Sequence, residues 1–267
     1  MKQPNAALSQ RGEVLELEHK FKVVEIFKSI SGESYHSGQV AVFVRLYGCN
    51  LRCQYSDGGC DTVYGYEGEN YTEMTAVEIC KQVFSLSPNK FVVLTGGEPL
   101  LDDHAPELIH KLIVEYGFKV DIETNGSINI VKVLDEIIKQ DNSYLISTCV
   151  LQPNLIFTVD YKSPSSCMNN RMVSNFASMI DIVSRSGYEV NVKCVVSDND
   201  EDIKSVGELL RDMQRTGFNM LHFFLSPVYG CDISYIVDKM CESDILSQAR
   251  LQLQIHKYIW DPEKRGV

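Results

Sequence analysis

The segment Phe91-Val-Val-Leu-Thr-Gly-Gly-Glu-Pro99 decides how the rest of the chain is read. An apolar, β-branched run ends abruptly in two glycines, a carboxylate and a proline. Such a run reads as a buried strand. Gly96-Gly97-Glu98 after it offers bare backbone and a carboxylate to a small polar ligand. Upstream lies Gly48-Cys-Asn-Leu-Arg-Cys-Gln-Tyr-Ser-Asp-Gly-Gly-Cys-Asp-Thr62, which sets Cys49, Cys53 and Cys60 in one loop-like stretch behind another apolar segment. Three thiolates can hold three irons of a [4Fe–4S] cluster and leave the fourth open to a ligand.

Other readings of these cysteines exist. Structural zinc takes four ligands, usually in two close pairs, and no Cys-x2-Cys pair or nearby histidine completes such a set. A disulfide suits an oxidising compartment. Here the count of nine cysteines is odd, and residues 1–20 are polar with no apolar leader, so a reducing cytoplasm is expected. Buried thiols are the third reading, and it is the one expected of Cys80, Cys149 and Cys194, which lie in apolar segments. Cys167, Cys231 and Cys241 carry no motif. The triplet alone leaves these alternatives open. Joined to Thr95-Gly-Gly-Glu-Pro99 and to the order of elements, it reads as a cluster site.

The chain has 267 residues, enough for one large domain. No linker, repeat or low-complexity stretch divides it, so a polar lead-in over 1–20 and a single domain over 21–267 are expected. An apolar fraction of 44 % supplies a core. No apolar run approaches the roughly 18 residues a membrane span needs. The net charge is −11 and no basic cluster stands out. Nucleic-acid binders neutralise phosphates with Lys and Arg, so the expected partner is a small molecule and not a nucleic acid.

Val-, Ile- and Phe-rich runs predict strands over 22–27, 39–47, 91–95, 119–122, 155–160, 189–195, 221–225 and 250–256. Apolar periodicity predicts helices from a Thr75 N-cap to about 85, then over 106–116, 130–139, 175–185 and 201–216. Alternating strands and helices imply a mostly parallel sheet with right-handed crossovers, and this many repeats predict an α/β partial (β/α) barrel. Chemistry in such barrels gathers at the C-terminal ends of the strands. The cysteine loop, Thr95-Gly96-Gly97-Glu98, Glu123-Thr124-Asn125-Gly126, Asp160-Tyr161-Lys162-Ser163, Ser226-Pro227 and His256 all fall just after predicted strands.

These pieces resemble the radical S-adenosylmethionine (SAM) superfamily, and within it the 7-carboxy-7-deazaguanine synthase family. Ser31-Gly32-Glu33, Phe43-Val44-Arg45, Gly48-Cys49-Asn50, Cys60-Asp61-Thr62, Ser163-Pro164-Ser165-Ser166 and Gln252-Leu-Gln-Ile-His256-Lys257 carry the likeness over nearly the whole chain. The resemblance implies that Cys49, Cys53 and Cys60 ligate a [4Fe–4S] cluster. It implies that Gly96, Gly97 and Glu98 meet the SAM amino group, with Thr124, Lys162, Ser163 and Ser226 around the rest of SAM. It gives Ser31, Glu33, Arg45, Thr95, His256 and the carboxylate of Val267 to the substrate, a 7-deazapurine or pterin. It also implies Mg²⁺ at Thr62, a flavodoxin or ferredoxin as electron donor, and a homodimer. Plainer roles stand beside these: a Glu33–Arg45 salt bridge between strands, a core histidine at 256, and a helix N-cap at Thr62.

Two departures bear on the reaction. The gap between the second and third cysteines is long, at residues 54–59, and Ser31 stands where the family carries Gln or Asn. The short serine leaves room beside the base, which suits a deazaguanine with a bulky 7-substituent. The expectation is therefore a queuine lyase, releasing 7-aminomethyl-7-deazaguanine. The alternatives are the synthase acting on 6-carboxy-tetrahydropterin and, from another class, a catalytically silent cluster- or ligand-binding module.

Overall fold

The computed structural model describes residues 7–8, 14–15, 18–55, 59–86, 90–141, 147–261 and 264–267. Within the lead-in, β1 (Ala7–Leu8) and β2 (Val14–Leu15) pair antiparallel. The other described strands form one nine-stranded sheet. They are β3 (Lys20–Ile30), β4 (Val40–Leu46), β5 (Thr72–Thr75), β6 (Phe91–Gly96), β7 (Lys119–Thr124), β8 (Leu155–Lys162), β9 (Glu189–Val196), β10 (Phe223–Pro227) and β11 (Arg250–Leu251). Their order is β11-β10-β9-β8-β7-β6-β4-β3-β5. Pairings from β4 to β11 are parallel, and β3 is antiparallel to both β4 and β5. The ladder does not return from β11 to β5, so the sheet is an open, partial (β/α) barrel.

Helices α1 (Ala76–Leu86), α2 (Ala105–His110), α3 (Ile130–Lys139), α4 (Phe176–Arg185), α5 (Asp200–Thr216) and α6 (Ile233–Glu242) fill the crossovers. Their starts follow from local chemistry. Thr75 Oγ1 accepts from Glu78 N at 3.2 Å while Glu78 Oε2 accepts from Thr75 N at 2.8 Å, a capping box. Asn129, Asn199 and Asp232 cap α3, α5 and α6 with their side-chain oxygens. Gly217, at φ 84°, ends α5 in the left-handed conformation that glycine tolerates best.

Side-chain alternation sorts the two sheet faces. Val42, Val44, Val92, Leu94, Val120, Ile122, Phe157, Val159, Val192 and Cys194 belong to the main core. Ala41, Phe91, Val93 and Ile156, with Phe43, form a separate small cluster on the concave face. Farther along the same strands, that face turns polar at Arg45, Thr95, Glu123, Asp160 and Lys193. The concave side is therefore apolar low on β4, β6 and β8, where the buried Asp121 of β7 interrupts it, and charged toward the strand ends.

Several expectations need correction. The predicted last strand shrinks to Arg250–Leu251. Its final ladder bond is Gln252 N to Leu225 O at 2.8 Å, after which the chain turns inward and His256 opens a short helix, α7 (His256–Ile259). Neither β5 nor α6 was expected. The helix expected over 106–116 is α2 continued by a π-helical stretch, Lys111–Glu115. Cys80 and Cys194 are buried as expected, but Cys149 is exposed.

Candidate active site

The end of β4 and the end of β6 are packed backbone to backbone. Gly97 N donates to Leu46 O at 3.2 Å and Glu98 N to Gly48 O at 2.8 Å. A Cβ on Gly96 would overlap Leu46 O, and one on Gly97 would overlap Gly48 O and come within 2.7 Å of Cys49 Cβ. Two bare residues are thus required to lay the β6 end against the cysteine loop. A cavity of about 680 Å³ opens above the concave face.

Cys49 and Cys60 line that cavity, and Cys53 lies beside them in the same loop, half-buried. Cys49 Sγ accepts from Leu51 N at 3.4 Å and from Asn125 Nδ2 at 3.7 Å. Burial pushes Cys53 up to about 11 and raises Cys60, while the Lys162 ammonium pulls both the other way. The thiols are thus poorly solvated, and donors and a cation stand ready for sulfur that carries negative charge. Metal ligation requires that charge. Among the described residues no three His, Cys, Asp or Glu side chains converge on one ion position. A four-iron cluster asks each thiolate to hold a different iron, so this donor set fits it. Residues 56–58, within the long cysteine gap, lie outside the described residues.

The residues expected around SAM divide. Gly96, Gly97, Thr124 and Lys162 line the cavity. Glu98 does not: it is buried and accepts from Leu100 N (3.0 Å), Thr124 Oγ1 (2.8 Å) and Asn125 N (2.7 Å), tying the ends of β6 and β7 together. Burial still pushes it up to about 7. Ser163 is fully buried, its hydroxyl donating to Val195 O at 2.7 Å. Ser226 also lies off the cavity wall, but its buried hydroxyl has no hydrogen-bond partner among the described residues. Asp160 Oδ1, on the cavity wall, likewise has none, while its Oδ2 accepts from Lys162 at 2.7 Å. An orphaned carboxylate oxygen at Asp160 and the bare backbone of Gly96 and Gly97 line one cavity, which fits a polar ligand of the SAM type.

Glu33, Arg45, Thr95, His256 and Val267 line the same cavity. Glu33 and Arg45 do not pair with each other. Arg45 Nε bonds Glu25 at 2.8 Å, and Lys193 Nζ bonds Glu33 at 2.5 Å. Burial opposes the ionisation of Glu33, but Lys193 and Gln254 outweigh it and hold its pKa below the usual carboxylate range. Burial lowers His256, so its imidazole favours the neutral form. Burial and the Glu33 charge push Glu123 up to about 7. Ser31 is buried off the cavity wall, its hydroxyl donating to Glu33 O at 3.1 Å. Thr62 lines the cavity and donates to Asp61 Oδ1 at 3.1 Å. It sits at the N-cap position of a single turn, yet its side chain makes no capping bond.

Sequence reading gave no site role to Lys193 or Gln254, and it placed Glu123 and Asp160 at strand ends without assigning them one, yet all four line the cavity. The signal was available: Val120-Asp-Ile-Glu123, Thr158-Val-Asp160 and Asn191-Val-Lys193 alternate, whereas strands of a parallel sheet buried on both faces run continuously apolar. Alternation there marks a polar interior.

Residues 43–148 match the sequence model of the Radical SAM superfamily. With the three cysteines beside a glycine-floored cavity, this makes the chain a radical SAM enzyme, and its cofactors are a [4Fe–4S] cluster and S-adenosylmethionine. The chain is 39 % identical over 253 residues to the 7-carboxy-7-deazaguanine synthase of Clostridium acetobutylicum, covering 92 % of this chain and 99 % of that protein. The synthase of Methanospirillum hungatei is 33 % identical over 242 residues, covering 90 % and 86 %. The chain belongs to the 7-carboxy-7-deazaguanine synthase family, and is a radical SAM enzyme of 7-deazaguanine biosynthesis. Its fold is shared with the crystal structure of QueE from Escherichia coli, at a TM-score of 0.62 and 20 % identity over 88 % of this chain and 93 % of that one.

Proposed function

We propose that the chain converts 6-carboxy-tetrahydropterin to 7-carboxy-7-deazaguanine. The observation that carries this reading is the cationic wall of the cavity. Arg45 and Arg265 lie 5.5 and 4.0 Å from the centre of the Tyr64 ring, and Lys264 lines the same cavity. Clustered cations suit a substrate carboxylate. Queuine carries a diol and an amine instead, and its amine would meet like charge. The full-length likeness to proteins named for the synthase reaction supports the same choice.

In this reading Glu33 accepts the N–H edge of the pterin, and Arg45 donates to its carbonyl or carboxylate. Lys193 and Gln254 keep Glu33 ionised and aimed. His256 and Val267 line the same cavity, and Thr62 with Asp61 supplies oxygen atoms suited to Mg²⁺. When bound, the cluster supplies the electron that reductively cleaves SAM. The chain's own residues hold the substrate in one orientation over that chemistry.

The queuine lyase remains a second reading, favoured by the short side chain of Ser31. Its hydroxyl is engaged by Glu33 O and does not border the cavity, which weakens the argument from room. Anaerobically reconstituted enzyme should be given SAM and reductant with each substrate in turn. The pterin should yield 7-carboxy-7-deazaguanine while queuine stays intact. Release of 7-aminomethyl-7-deazaguanine, with the pterin inert, would replace the synthase by the lyase. Absence of 5′-deoxyadenosine with either substrate would leave a silent binding module.

A further inference from the structure

The β3–β4 turn and the segment after β11 come from opposite ends of the chain and meet residue for residue. A Cβ on Gly32 would overlap His256 Nδ1, so the imidazole is seated directly on that glycine. Glu33 Oε1 accepts from Gln254 Nε2 at 2.7 Å. Ser34 N donates to Gln252 Oε1 at 2.6 Å, and Gln252 Nε2 donates back to Ser34 O at 2.7 Å. Side chains 252, 254 and 256 thus read residues 34, 33 and 32 in order.

The Gln252 contact is the one with no access to the cavity. Gln252 and Ser34 are both buried. Ser34 is a non-glycine residue at φ 64°, a left-handed conformation that persists only when its surroundings enforce it. A two-point amide clasp supplies that enforcement. A third bond, Ser34 Oγ to Asp121 Oδ2 at 3.2 Å, comes from the barrel interior. Fixing the backbone of Ser34 fixes the direction in which its neighbour Glu33 leaves the chain.

We infer that Gln252 is a positioning residue for substrate recognition: its amide clasps Ser34 and thereby aims the Glu33 carboxylate. The inference rests on the reading in which Glu33 meets the substrate. Gln252 itself touches neither substrate nor cofactor.

The test is a double-mutant cycle on the reconstituted holoenzyme, with Gln252→Met and Glu33→Gln, singly and together, and 6-carboxy-tetrahydropterin as substrate (queuine, should that be the one turned over). Gln252→Met should raise the substrate KM about tenfold, from the loss of two buried hydrogen bonds, and should raise the 5′-deoxyadenosine formed per product. Iron content should stay at about four per chain, the cluster stoichiometry. In the Glu33→Gln background the same substitution should change KM less than about twofold, because residues acting through one another are not additive. Gln252→Glu keeps the acceptor for Ser34 N and loses the donor, so an intermediate rise of about threefold is expected. It supplies the measurement if the methionine variant loses its iron. Equal losses in both backgrounds would mean a merely structural residue and would overturn the inference. So would a wild-type KM in both Gln252 variants while Glu33→Gln is impaired. An unchanged KM in Glu33→Gln would instead overturn the reading beneath it.

Discussion

Single atoms decide the site at Gly97, where a methyl group has no room between Gly48 O and Cys49 Cβ. Gly97→Ala should force the cysteine loop away from β6, with a stability loss of roughly 1–3 kcal/mol from overpacking. SAM cleavage should fall at least tenfold, and anaerobic iron titration should show weakened cluster retention. Gly217→Ala is the control. Its Cβ would meet nothing within 4 Å, so it should cost only about 1 kcal/mol of backbone strain at φ 84° and leave SAM cleavage intact. Much of this scale was legible from the chain alone. Cys49, Cys60, Gly96, Gly97 and His256, placed at strand ends by the order of elements, and Glu33 and Arg45, pointed to by the resemblance, all line one cavity. Glu98 and Ser163 were harder to read, because a motif does not reveal which way a side chain turns. Both are spent on holding loops together.

At the scale of elements, α5 presents Asp202 as a fully buried carboxylate that joins two strand ends. It accepts from Ser165 N and Ser197 N, both at 2.8 Å, with the Ser163 hydroxyl, which donates to Val195 O, lying 3.2 Å away. Asp202→Ala would strand two backbone donors, Ser165 N and Ser197 N, at about 3 kcal/mol by the usual cost of unpaired buried groups. Urea unfolding should show that loss, and the KM for SAM should rise because residues 163–166 lose their anchor. An unchanged KM for SAM would show that this loop does not border the cofactor. Helix limits were mostly readable, since Thr75, Asn129 and Asn199 are strong cap signals. Helix α6 was not expected, although its signal is in the chain: Asp232 precedes Ile233, Ile236, Val237 and Met240 at helical spacing. The last strand misled for a physical reason. Gln252-Leu-Gln-Ile alternates like a half-buried strand, yet its glutamines leave the ladder to bond residues 33 and 34.

Over the whole molecule, the buried charges set how stability follows pH. Burial pushes Asp121 up to about 6 and Glu123 up to about 7. Both folded-state values exceed the unfolded ones, so the native chain binds more protons between about pH 4 and 7, and stability falls as pH rises through that window. Glu33 works in the opposite sense. Its pKa is lowered, so its contribution is present above about pH 4.5 and disappears as pH falls below. Urea unfolding of the metal-free protein should therefore show a decline from pH 5 to 8, and Glu123→Gln should make it shallower, the remaining slope coming from Asp121 and from Glu98, which burial also pushes up to about 7. A rise over that range would contradict the assignment. The open barrel adds a consequence of its own. Among the described residues, strands β11 and β5 end the sheet without pairing with each other, and contact across that side includes Gln252, Gln254 and His256 against residues 32–34. Those bonds can part while every strand ladder stays intact. The amide of Ser34, bonded to a side chain and not to a strand, should then exchange with deuterium through local opening, far sooner than the amides in the middle of β7 and β8. Bound substrate, by holding Glu33, should slow it, so one backbone proton becomes a clock for how often the two ends of the chain let go of each other.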